Sequence, residues 1–227
     1  ALQVVIFAMA IMLLLVLLLV RTSLIDEWQT QLPEGTPNHF IINIAADQVA
    51  PIEAMLDANG ITSEALYPMI RGRVMSINGE DLPRMEDTDS ERYQRGSNFT
   101  WSDLQPPGNT LLSGQWWPPG TTQPLVSVEA SFAERFELEV DDKVEFLVGA
   151  TPLSAQVSSI RELEWQSLKP NFFLIFPPAV LANSPATFMT SFHLEAENKA
   201  FLNRFVHRYP TVTVIEIDAV MGQIRSI

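Results

Sequence analysis

Residues 39–78 read HFIINIAADQVAPIEAMLDANGITSEALYPMIRGRVMSIN, and this stretch decides the fold class. His39 to Ala45 is a short apolar run with the texture of a strand. Asp47 has the chemistry of an N-cap, and behind it Val49, Ile52, Met55 and Leu56 share one face at helical spacing. Asn59-Gly60 supplies the kind of left-handed stop that ends such helices. Leu66 to Asn78 then returns as extended chain and closes on Asn78-Gly79, a strong turn signal. The pattern is strand–helix–strand.

The same order recurs near the other end. Ala186 to Leu194 (ATFMTSFHL) reads as a strand, and Glu195 to Tyr209 as a helix with Ala200, Phe201, Phe205 and Val206 toward a core. Thr211 to Ile217 (TVTVIEI) is a strand rich in β-branched residues, and Asp218 caps a last helix carrying Val220, Met221, Ile224 and Ile227. Two such halves, 39–79 and 185–217, make a split ferredoxin-like, porter-like α+β unit. Residues 80–184 are then an insertion, which the sequence marks as mostly β. Its strands are Val144–Val148 and Leu153–Ile160 around Gly149, and Asn171–Phe176 before Pro177-Pro178, with a short helix from Glu129 to Phe136. The polar stretch Glu80 to Asn98 reads as a linker or an exposed loop. Asp87-Thr-Asp-Ser-Glu91 is not a calcium loop, since it lacks the sixth-position glycine and carries Asn98 at the twelfth. Asn98-Phe-Thr100 matches a glycosylation sequon, a short pattern that arises often by chance.

Ahead of this unit lies ALQVVIFAMAIMLLLVLLLV, residues 1–20, in which Gln3 is the one polar side chain. At about 1.5 Å per residue such a run matches the hydrocarbon thickness of a bilayer, so residues 1–21 read as a transmembrane helix. It lacks the basic start and small-residue cleavage site of a signal peptide. Residues 22–38 read as a helical stalk and linker, with Leu24, Ile25, Trp28 and Leu32 on one stripe until Pro33 ends it. The chain begins on Ala inside the apolar run and ends on Gly222 to Ile227, so a segment of a larger membrane protein is expected, with 218–227 starting a return helix.

Charge sets sidedness. The 227 residues hold 14 Lys and Arg against 27 Asp and Glu, a net charge of −13. No Lys or Arg occurs between Thr22 and Ile70, which places residues from about 22 onward outside the cytoplasm, because cytoplasmic flanks collect basic residues. Strong acidity also excludes a nucleic-acid partner. The absence of cysteine removes disulfides, thiolate metal sites and thiol nucleophiles together.

No constellation in the sequence carries catalysis. His39, His193 and His207 lie far apart on different elements, and the first two read as sheet histidines, not metal ligands. Glu162 and Glu164 fall on one face of a strand and read as a solvated edge. No serine sits in a G-x-S-x-G context and no glycine loop follows a strand in a phosphate-binding pattern. No cofactor or metal is expected. Aromatic residues stand out instead: Trp116-Trp117 between Gly114 and Pro118-Pro119, and Trp165 ahead of Asn171-Phe172-Phe173. Loop aromatics held by proline and glycine serve either as binding anchors or as the plug of a small β core.

The sequence also resembles a family. Ser23-Leu-Ile-Asp-Glu-Trp28 and Leu32-Pro33 after an apolar helix resemble the YbbP-type branch of the FtsX-like ABC transporter permeases. So do NHFIINI (38–44), ALYPMIRGR (65–73), GQWW (114–117), WQSLKPNFF (165–173), FPP (176–178) and TSFH (190–193). Val128 to Asp142 is similar to the helix–turn of the wider MacB-like periplasmic domain, with Asp141-Asp142 where Gly-Asp is usual. The resemblance implies the periplasmic domain of a permease in a bacterial inner membrane, working with a cytoplasmic ATPase subunit. It implies mechanical coupling to extraction or export of a hydrophobic, lipid-like substrate, with an esterase or thioesterase and membrane lipid as further partners. Leu24, Trp28 and Leu32 would then lie on the coupling stalk. The rival reading is a membrane-anchored sensor domain that binds a ligand or a protein, and an exported enzyme comes third.

Overall fold

A computed structural model describes residues 35–82, 96–164, 167–195 and 198–217, together with residues 3, 6–9 and 11–19 near the N-terminus. The chain divides into two compact units, Ala1–Thr36 and Pro37–Ile227. In the first, the described residues 3, 6–9 and 11–19 are helical and exposed, from Val16 at 47% to Phe7 at 71%. Among the described residues no helix is long and apolar enough to cross a membrane. The stalk residues Leu24, Trp28 and Leu32, the polar stretch 83–95 and the return helix from Asp218 lie outside the described residues.

The second unit is a mixed α/β fold dominated by strands. Strand β1 (His39–Ile44) leads through a 3-10 turn at Ala46–Gln48 into helix α1 (Val49–Ala58), and β2 (Tyr67–Ile77) follows. Asp47 does not cap this helix. It sits inside the 3-10 turn, where Gln48 takes the capping work by accepting the Ala45 N–H at 3.1 Å. Asn59 and Gly60, the latter at φ 69°, stop the helix, and Asn78-Gly79 turn the chain into the two-residue β3 (Glu80–Asp81) with φ of 50° and 85°. Near the other end β10 (Thr187–Phe192), helix α4 (Lys199–Arg208) and β11 (Thr213–Glu216) repeat the order. These strands pair antiparallel in the order β11-β1-β10-β2. Both helices bury against one core, with Ile52 and Leu56 from α1 meeting Phe201 and Phe205 from α4 over Ile41, Ile44 and Phe192. Helical periodicity explains most of this face but misjudges its edge: Ala200 is exposed and Val206 is 44% exposed, while Leu202 and Tyr209 pack inward.

Beyond Met69, β2 leaves that sheet and enters a second one. Its partners there are β4 (Ser97–Trp101) on one side and β7 (Lys143–Val148) on the other. β4 continues to β9 (Leu174–Phe176), β9 to β6 (Leu125–Glu129), β6 to β8 (Thr151–Leu163), and β8 returns to β7. The pairings therefore close into a six-strand ring. Inward alternation fills it with Ile70, Val74, Phe99, Val128, Phe146, Val157 and Phe176, as a small closed barrel requires. Phe132 from α2 (Ala130–Arg135), Phe136 just after it and Leu181 from α3 (Pro178–Leu181) join this core. A Cβ on Gly72 would stand 2.1 Å from the Phe99 ring, so the ring's packing excludes a side chain there. β8 pairs β7 along Thr151–Gln156 and then gives that side to β5 (Asn109–Gly114).

Three sequence expectations change here. The strand expected over Asn171–Phe176 shortens to Leu174–Phe176, because Asn171-Phe172-Phe173 belongs to a crossing held by side chains. Asn98 and Thr100 lie in β4 and not at a linker's end, with Thr100 fully buried. Glu164 follows the end of β8, so it does not share a strand face with Glu162.

Candidate functional site at the aromatic joint

The strand order leaves one place where the two sheets must meet, along the start of β2. Tyr67 and Met69 from β2, Met189 from β10, and Leu125 and Ile175 from the ring face one another there. The gap is filled by Trp116, Trp117 and Phe172, which come from two connections and no strand. Gly114 at φ 75° makes the first connection possible. Its α-carbon comes so near β8 that an added Cβ would lie 2.2 Å from the Ser158 carbonyl oxygen. The chain then turns both indoles in, stacked at 4.2 Å and 29°.

Each indole N–H is satisfied. Trp116 Nε1 donates to the Asp103 carbonyl and Trp117 Nε1 to the Ser102 carbonyl, both at 3.0 Å. The Asp103 carboxylate accepts the Gly120 N–H at 2.9 Å and closes the Trp-Trp-Pro-Pro turn. Trp117 and Phe172 are buried and Trp116 is half-buried. Tyr67 meets Phe172 at 6.1 Å, and burial followed by the charge of Glu64 pushes its phenol pKa up. Of the aromatic residues named from sequence, Trp116, Trp117 and Phe172 come together. Phe173 turns the other way, 6.0 Å from Phe132 at the ring's core. Trp165 lies outside the described residues.

Sequence reasoning missed the polar wall beside this cluster. Arg161 of β8 is fully buried and faces Glu129 in the parallel register. Its guanidinium donates to Asn109 Oδ1 at 2.8 Å and to the Phe172 carbonyl, fixing the crossing that carries Phe172. Burial pushes its pKa down to about 9, partly countered by the negative charge of Glu129. Arg161 Nε and the Thr100 hydroxyl are buried without a hydrogen-bond partner. Glu129 accepts the Phe132 N–H at 3.0 Å and so caps α2. Ser127 and Ser159 complete the row, their hydroxyls 2.8 Å apart. The sequence held no plain signal for Arg161: a register shift after Val126 keeps Val157 and Ile160 toward the ring core and turns Ser159 and Arg161 onto the opposite face, where they are buried. Outside this wall, Lys169 pairs with Glu64 at 2.7 Å and ties the same crossing to the segment before β2.

The histidines remain separate. His39 stacks on Phe192 at 5.4 Å with Nδ1 2.7 Å from Asn38 Oδ1, and His207 Nδ1 lies 2.8 Å from the Asn203 carbonyl. Among the described residues no group of three or more His, Asp and Glu side chains could hold a metal ion. The site is thus an aromatic joint backed by a buried guanidinium, suited to packing and to apolar contact.

Comparison with known proteins gives the class of the chain: it is similar to an ABC transporter permease over nearly its whole length. The match is the uncharacterized permease YbbP of Escherichia coli strain K12, 38% identical over 218 residues, which is 96% of this chain. The chain spans about a quarter (26%) of that permease. No family model matches the sequence. A solved domain from Porphyromonas gingivalis, ascribed to a permease, shares 9% identity at a TM-score of 0.41 over 79% of this chain and 89% of that one.

Proposed function

We propose that the chain is the periplasmic domain of an ABC permease subunit of a bacterial inner membrane, with its leading membrane helix. The observation that carries this reading is the 38% identity to YbbP over 96% of the chain. Residues 1–21 are the membrane helix and 22–38 the stalk. Residues 39–79 and 185–217 form the two halves of a ferredoxin-like unit, split by the mostly-β insertion 80–184, and 218–227 start the return helix. The strand order β11-β1-β10-β2 with both helices in one core supports the split ferredoxin-like assignment. The exposed apolar side chains of residues 6–9 and 11–19 support the membrane helix, because water would leave all of them solvated at a cost that lipid removes.

In this reading the chain does no chemistry. It passes ATP-driven motion from a cytoplasmic ATPase subunit through Leu24, Trp28 and Leu32 of the stalk into the two sheets. The aromatic joint of Trp116, Trp117 and Phe172 keeps the sheets together and, with Phe173 and the sequence-named Trp165 as further candidates, offers the contact for a hydrophobic, lipid-like substrate or a periplasmic partner. An esterase or thioesterase partner rests on family resemblance alone.

The test is purification of the whole protein from lipid nanodiscs, with identification of what accompanies it and an assay of ATP hydrolysis. A stoichiometric ATPase subunit with vanadate-sensitive turnover is expected. A cytoplasmic signalling module and no ATPase would make the domain a receptor.

A further inference from the structure

We propose that β5 is a strand-addition edge that takes an extended segment of a partner protein in which apolar and basic residues alternate. This goes beyond the transport reading and does not depend on it. Among the described residues β5 pairs with β8 alone and is the last strand of its sheet. Its outer row of N–H and C=O groups, in which Gln105 Nε2 already donates to the Asn109 carbonyl, is the element that strand addition uses. Thr110, Leu112, Ser113 and Gly114 are exposed.

Edges are ordinarily blunted by charge, proline or brevity. The other terminal strand, β11, is four residues long and ends on Glu216. β5 is six residues long, reads NTLLSG, and carries neither a charge nor a proline. The register shift between Leu111 and Ser113 is an edge-blunting device by itself. Here, however, the residue left 57% exposed is Leu112, the reverse of the lysine that protects an edge.

The surroundings select the partner's charge. Glu162, exposed, stands opposite Thr110 in register, and the exposed Glu164 donates its N–H to the Gly108 carbonyl at the strand's start. The basic residue in this register, Arg161 opposite Leu111, is buried inward and offers the edge no positive charge. With a chain net charge of −13, an incoming strand places an apolar residue beside Leu112 and a Lys or Arg within reach of Glu162.

The test uses the whole protein in nanodiscs and the blocked hexapeptide Lys-Val-Lys-Val-Lys-Val as probe, read by amide hydrogen exchange. The peptide is expected to slow exchange at least tenfold within residues 109–114. Leu112→Lys is expected to abolish that protection, and Glu162→Gln to weaken it severalfold and remove its salt dependence. Leu112→Thr, which keeps the edge uncharged, should retain it. No protection, protection elsewhere, or equal protection by Glu-Val-Glu-Val-Glu-Val overturns the proposal. So does protection of 109–114 that appears without peptide and grows with protein concentration, since the edge would then serve a second copy of the chain.

Discussion

The four-stranded sheet and the six-strand ring share β2, yet they are held together by different means. In the four-stranded end the buried side chains are hydrocarbon and aromatic, and its buried polar residues are His39, Thr190 and Ser191. The ring is apolar inside, but its outer wall buries Glu129, Arg161, Asn109, Ser127 and Ser159. The difference follows from connectivity. Strand–helix–strand units satisfy their backbone groups within the elements. The ring's long crossings at 102–108 and 167–173 have no ladder; backbone N–H groups reach the carbonyls of Gly108 and Phe173 at their ends, and side chains hold others. Ser102, Asp103 and Phe172 are held in this way by two indoles and a guanidinium.

The largest effect tests whether the two regions are one cooperative body. Trp117→Ala removes the centre of the joint and Phe205→Ala a comparable volume from the four-stranded core. Each is expected to cost about 3–5 kcal/mol, the range for buried Phe and Trp truncations. They should differ in form. Phe205→Ala shifts one urea transition seen alike by far-UV circular dichroism and tryptophan fluorescence. Trp117→Ala separates the two signals, because the sheets are then joined only through β2 and the segment from β9 through α3 to β10, without the centre of their packed joint. Coincident transitions in Trp117→Ala would mean that β2 couples the regions without the aromatic joint.

A smaller effect concerns the ring's buried charge. Burial lowers the pKa of Arg161 from its ordinary value to about 9, so below about 9 both states are protonated and the burial cost is fully present. As pH rises from about 9, the folded state sheds the proton first and gains stability. Tyr67 acts oppositely, since its raised pKa contributes stability that is lost as pH climbs past its unfolded value of 10. Comparison with Arg161→Met cancels that second contribution. At pH 8 the variant is expected to lose about 1–3 kcal/mol, because Asn109 and the Phe172 carbonyl lose their donor. By pH 10.5 the wild type should pull ahead by roughly a further 2 kcal/mol, from about 1.4 kcal/mol per pKa unit. Parallel pH profiles would show that the guanidinium is not held in a dry site.

How far the sequence discloses this arrangement depends on the same contrast. Ile52, Leu56, Phe201 and Phe205 announce their burial by helical spacing, and Asn59-Gly60 and Asn78-Gly79 announce the turns. Ring closure is not written locally. The β7–β8 hairpin around Gly149 is local and legible, but nothing in KVEFLV or TPLSAQVSSIREL states that β2 pairs with β7 or that β8 also pairs with β6 and β5, because such partners are chosen by non-local packing. Phe172 and Phe173 look equivalent in NFF, yet one fills the joint and the other the ring core, since neighbours in extended chain point to opposite sides. Arg161 was not legible, because the register shift in β8 breaks the alternation ahead of it and arginine is ordinarily exposed.

The smallest effect probes whether the joint depends on ions as well as on packing. Lys169 and Glu64 pair at 2.7 Å with side chains 34% and 23% exposed, so water screens them substantially. The Glu64 backbone is fixed, its N–H donating to the Ser191 carbonyl at 2.9 Å and its carbonyl accepting the Thr190 hydroxyl at 2.6 Å. That anchoring spares part of the entropy a surface pair usually loses. A double-mutant cycle of Lys169→Met and Glu64→Gln, read from urea midpoints, should therefore give a coupling of about 0.2–1 kcal/mol. Half-molar salt should remove most of it, as screening over a few ångströms dictates. A coupling well above 1 kcal/mol, or one indifferent to salt, would move the closure of the crossing from Trp117 and Arg161 to the ion pair. The ring would then be tied to the four-stranded end by charge at its rim and not by the aromatic joint beneath.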